Sequence, residues 1–163
     1  MFELKPIRQE AIPKALEKAE KYRLLNEPAQ AESICHDILQ IDSDNQPALI
    51  TLLLAQTDRF DQGIPIDRPR ELLSRLQSAY ERAYYAGLIC ERKARARLSQ
   101  RVPGAGFAAY DLLCEALHWY EKAEALRPSD NDDTVLRWNA CVRMIKEGDL
   151  HPRQEERLVV TSE

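Results

Sequence analysis

Cys114 and His118 are four residues apart, a spacing that puts a thiol and an imidazole on one face of a helix, within reach of a single metal ion. A zinc site needs three or four ligands, and two fall short, so the pair reads as a semi-buried small side chain beside a surface histidine. Cys35, Cys90 and Cys141 stand where compact apolar groups are wanted and read as small hydrophobes, free thiols of a reducing compartment. Gly104-Ala105-Gly106 could bring backbone N–H groups to a phosphate at a helix start, but phosphate-binding glycine loops follow a strand and use more residues; this one reads as a turn. His36 and His151 have no Ser, Cys or carboxylate at a motif spacing, so no nucleophile and base are paired and no catalytic residue is assigned.

The strongest electrostatic feature is a basic block, Arg92, Lys93, Arg95, Arg97 and Arg101. It has two readings. One is a solvated helix end whose cations favour the negative end of the helix dipole; the other is an anion site at Arg92, Arg95, Arg97 and Arg101 for an acidic peptide or RNA. RNA would also need bases stacked on aromatic rings, for which Tyr84, Tyr85 and Phe107 are the candidates nearby.

The elements carrying these residues are helical. With 44% hydrophobic and 31% charged residues in a chain of 163, the composition is that of one globular domain. The formal net charge of −4 disfavours a general nucleic-acid binder, and the longest apolar-leaning run, residues 48–55, is far below the roughly 20 residues of a membrane span. A cytoplasmic location is expected, with no membrane contact and no cofactor. Caps and breakers predict helices over residues 11–25 and 28–41, from after Asn45 to near Asp58, and over 69–76, 78–100, 107–126 and 134–146. The helix over 134–146 has two candidate inward stripes, Val135, Trp138, Val142 and Ile145 or Arg137, Cys141 and Met144. The expected organisation is a helical domain over 1–148 and a mobile charged tail over 149–163, in which Leu158-Val159-Val160 could dock.

A repeat underlies the helices. Ala15, Leu49 and Ala83 are each 34 residues from the next, and in the same frame Ala19, Leu53 and Gly87 coincide, as do Tyr22, Gln56 and Cys90. Ala31, Cys35 and Ile38 then line one face of the next helix, and Ala116, Tyr120, Ala123 and Pro128 follow at spacings of four, three and five. This pattern resembles the tetratricopeptide repeat family over roughly residues 11–145. Ser43 replaces the usual proline, no tryptophan opens the first three units, the loop over 58–68 displaces the second unit's second helix, and 17 extra residues interrupt the third.

The resemblance implies an all-α fold: antiparallel helix pairs stacked as a short right-handed solenoid of about seven helices, the last acting as a cap. It also implies a mostly apolar groove for a protein or peptide segment, lined by the first helix of each pair. Carried over residue by residue, the groove comprises Leu16, Glu20 and Arg23, then Ile50, Leu54 and Thr57, then Tyr84, Leu88 and Glu91. Relatives that grip a terminal carboxylate use lysine and asparagine where this chain has Leu16, Glu20, Ile50 and Thr51, so that mode is not expected. The expected function is a protein-binding scaffold, not an enzyme; the alternatives are a polyanion binder and a self-associating subunit, as a two-fold homodimer.

Overall fold

The computed structural model describes residues 1–154. Among them are seven α-helices and no strand: α1 (Ile12–Leu24), α2 (Pro28–Ile41), α3 (Gln46–Thr57), α4 (Asp67–Arg70), α5 (Ala79–Gln100), α6 (Ala105–Leu126) and α7 (Asp133–Glu147). None is long and apolar enough to cross a membrane.

Local chemistry sets the boundaries. Pro28 and Pro47 stand in the first turns of α2 and α3, where a missing N–H costs nothing. The Asn45 side chain accepts from the Ala48 N–H at 2.9 Å and the Ser78 hydroxyl from the Glu81 N–H at 3.2 Å, so α3 and α5 start on side-chain caps. Arg101 at φ 51° and Gly104 at φ 80° reverse the chain between α5 and α6. Because Gly104 itself makes that turn, α6 begins at Ala105, two residues before the expected Phe107. The expected helix over 69–76 is instead the single turn α4 and a 3₁₀ turn, Leu73–Arg75. Pro69 has no N–H, and it is accommodated in the first turn of a helix that starts ahead of it.

Short connections make α1 and α2, and α5 and α6, antiparallel neighbours. Between α3 and α5 no long helix intervenes; α4 and two 3₁₀ turns fill the space. Apolar side chains from both sides nonetheless share one cluster, in which Ala19, Cys35, Leu49 and Leu53 meet Phe60, Leu76 and Ile89. A second cluster joins α5, α6 and α7 through Cys90, Ala94, Leu113, Tyr120 and Cys141, and a third, smaller one packs Ile12, Ile38 and Ala48.

The α5–α6 contact is the most extensive in the molecule. Alanines recur along its α6 side at Ala109, Ala116 and Ala123, and α5 offers Ala83, Gly87 and Ala94, so the two backbones can approach closely. A Cβ on Gly87 would lie 2.7 Å from the Tyr120 ring, which leaves no room for any other residue there. On α7 the inward face draws on both predicted stripes: Cys141 is buried, and Trp138, Met144 and Ile145 pack beside it. The fold also continues past Gly148. Leu150 is buried in the second cluster, and the Arg153 guanidinium lies 5.1 Å from the centre of the Phe107 ring. The expected docking run Leu158-Val159-Val160 falls outside the described residues.

Gly87→Ala is expected to destabilise the protein by about 1–3 kcal/mol, the range for overpacking a filled core. Urea unfolding of the two proteins measures it, and equal midpoints would contradict the packing described.

Candidate functional site

Three helices present one stripe each to a common cleft. Residues three and four apart share a helix face, and so Glu20, Arg23 and Leu24 of α1, Pro47, Ile50 and Leu54 of α3, and Arg92, Arg95 and Ser99 of α5 all point the same way. The cleft has two lobes. One, of about 540 Å³, is lined by apolar surface from Leu24, Pro47, Ile50 and Leu54; the other, of about 440 Å³, is mixed, with Asn26, Asp61, Arg92, Arg95 and Ser99 beside Phe60 and Ala96. Arg23 and Asp58 belong to both.

Asp58 closes the C-terminal end of α3 and ties the three helices together. Arg23 of α1 donates to it through Nε at 2.7 Å and Nη2 at 3.1 Å, a two-point contact, and Arg92 of α5 donates through Nη1 at 2.5 Å. The same Arg92 nitrogen reaches the Thr57 hydroxyl at 3.3 Å, while that hydroxyl donates to the Leu54 carbonyl at 2.7 Å. The three charged side chains are 19–29% exposed, so their ion pairs are screened less than surface pairs and are worth correspondingly more.

A second carboxylate, Glu91 of α5, stands beside Arg92 in the sequence. Glu91 has no exposed surface, and burial of a bare carboxylate would be costly. It is offset by four contacts: the Tyr120 hydroxyl donates at 3.0 Å, Arg95 and Arg137 donate at 3.0 and 3.1 Å, and the Cys141 thiol lies at 3.5 Å. Burial, then the Glu91 carboxylate, pushes both the Tyr120 hydroxyl and the Cys141 thiol well above their ordinary values, which keeps both groups protonated as donors.

The two sets of residues predicted from sequence therefore converge in part. Glu20, Arg23, Ile50, Leu54 and Thr57 from the predicted groove and Arg92 and Arg95 from the predicted anion site line this one cleft. The α5 part of the predicted groove does not. Glu91 is internal, Leu88 is 8% exposed, and Tyr84 packs its ring against Tyr80 and Tyr120, because α7 crosses this part of α5 and brings Arg137 onto Glu91. Leu16 joins the small cluster around Ile12 and Ala48. Arg97 and Arg101 are exposed and line neither lobe, and Lys93 turns away, its ammonium 4.8 Å from the centre of the Phe60 ring.

Asp58 was missed, yet a signal for it exists. Leu24, Asp58 and Arg92 are spaced by 34 residues, so the repeat that aligned Arg23, Thr57 and Glu91 also puts an acid and a base at one position of consecutive units.

Among the described residues no three His, Cys, Asp or Glu side chains converge to hold a metal ion, and Cys114 and His118 are both exposed. Burial pushes the Cys35 and Cys90 thiols up to about 12 and about 11. No family model, curated protein or solved structure matches the chain.

Asp58→Ala is expected to lower stability by about 1–3 kcal/mol, because it leaves Arg23 and Arg92 facing each other without their shared partner; an unchanged urea midpoint would contradict the bridge. For the thiols, a pKa raised in the fold stabilises below the unfolded value, 9.0, and that contribution is lost as pH rises toward 11–12. Stability should therefore fall above pH 9, and at pH 8 a thiol reagent should label Cys114 fast and the three buried cysteines only as the chain unfolds.

Proposed function

We propose that the chain is a divergent tetratricopeptide-like solenoid that serves as a protein-binding scaffold, holding a segment of a partner in the cleft across α1, α3 and α5. The observation that carries this reading is the alignment of those three helices. They are the first helices of the three units in the 34-residue frame, and their stripes meet in one open surface with an apolar shelf. Leu24 is 88% exposed beside half-buried Ile50 and Leu54, an arrangement that leaves apolar area for a partner to cover.

In this reading α7 has two tasks. It covers the apolar end of the α5–α6 pair, as the last helix of a stack must, and it shortens the working surface by occupying α5 up to Glu91. The partner then meets α5 only through Arg92, Arg95 and Ser99.

A polyanion binder fits less well. The basic block is divided among three surroundings: Arg92 and Arg95 in the cleft, Lys93 on Phe60, Arg97 and Arg101 at the exposed helix end. Among the described residues the only aromatic ring lining the cleft, Phe60, is 2% exposed and offers no face to a base.

Affinity capture from a lysate of the source organism, at low and moderate salt, tests the proposal against chains carrying Leu54→Arg or Leu24→Arg. Leu24 is exposed enough that its substitution leaves the fold intact. A protein retained by the parent chain and lost with both variants is the expected result. Equal capture by all three chains, or nucleic acid released only by salt, would overturn it.

A further inference from the structure

We infer that the partner segment carries a carboxylate side chain next to its apolar residues, and that Arg95, backed by Arg92, receives it. The inference rests on the scaffold reading above and names the chemistry of the segment. Three guanidinium groups line the second lobe with two carboxylates, Arg23, Arg92 and Arg95 with Asp58 and Asp61; Arg23 and Arg92 bind Asp58, while Arg95 shares the internal Glu91 with Arg137 of α7. The second lobe thus holds one excess positive charge in a chain whose formal net charge is −4.

The four arginines are not equivalent. Arg23 presents two of its nitrogens to Asp58, and Arg137 is held where α7 meets α5. Arg95 is different. Its side chain is 56% exposed and its contact with the buried Glu91 uses Nη2 alone, so the rest of its guanidinium is open to solvent. Arg95 can leave Glu91 without stranding it, since Tyr120 and Arg137 keep their contacts with that carboxylate. Its guanidinium then presents a two-donor edge, the geometry that a carboxylate matches.

Charge and shape together select the occupant. Apolar side chains of the segment cover Leu24, Ile50 and Leu54 in one lobe, and an aspartate or glutamate reaches Arg95 and the unused edge of Arg92 in the other. A dianionic phosphate is disfavoured because Asp58 and Asp61 stand in the same lobe.

Selection of short random peptides displayed on phage against the immobilised full chain tests this. Enriched sequences are expected to pair Asp or Glu with apolar residues. A synthetic selected peptide should bind the Arg95→Gln chain about tenfold more weakly, with a similar loss when its own acid is changed to the amide. Combining both changes should cost no more than either alone, the mark of a direct contact. Peptides without acids, or additive losses, would overturn the inference while leaving the scaffold standing, provided that binding is lost on Leu24→Arg. Selected peptides indifferent to Leu24→Arg and Leu54→Arg, or no binders at all, would overturn the scaffold reading and this inference with it. A uridine oligomer that competes with the peptide and is equally sensitive to Arg95→Gln would overturn the assignment of a peptide acid.

Discussion

The Asp58 carboxylate is the point at which α1, α3 and α5, three helices that share one apolar cluster, are also joined by charge. It stands at the end of α3 and takes Arg23 from α1 and Arg92 from α5. Between α3 and α5 only single turns are available for packing, so the apolar cluster around Phe60, Leu76 and Ile89 fixes the separation of these helices while the charged bridge fixes their register. Such a bridge is directional where apolar contact is not, and the Arg23 fork in particular accepts a narrow range of geometries. The cleft exists because the three stripes are held at one level.

Glu91 plays the corresponding part for α5, α6 and α7, with one difference. It is fully buried, so it depends on partners from the protein, and they come from three helices: Tyr120 on α6, Arg137 on α7 and Arg95 on its own. Gly87, one turn earlier, is what allows the Tyr120 ring to lie flat enough against α5 to reach it. Packing and polar satisfaction are therefore coupled at one place. The consequence for function is that α7 is fastened over the first part of α5, and the open surface begins at Arg92.

The helices were legible because their boundaries are local. Asn45, Ser78 and Pro28 announce starts by their own chemistry, and α3, α5 and α2 lie where those signals put them, to within a residue. The 34-residue spacing also located part of the cleft, Glu20 and Arg23 on α1 and Ile50, Leu54 and Thr57 on α3, since residues that share a repeat position on these two helices do share a face. What could not be read is what crosses between elements. Glu91 has the type and spacing of an exposed groove residue, and only the path of α7 buries it. Arg92 and Arg95 belonged on sequence to a basic block with Arg97 and Arg101, but the ends of α1 and α3 select the first two and leave the others outside. Gln56 shows the same limit within the core. It stands in the frame of Tyr22 and Cys90 and is buried like Cys90, and its side-chain carbonyl has no hydrogen-bond partner among the described residues.

The account turns on the cleft across α1, α3 and α5 being the surface that meets the partner. Hydrogen exchange of the full chain, alone and with a captured protein bound, addresses this without altering any residue. Slower exchange confined to the ends of α1 and α3 and to α5 from Arg92 onward is the predicted result. Protection confined to α2, α6 or the outer side of α7, with the cleft unchanged, would contradict it.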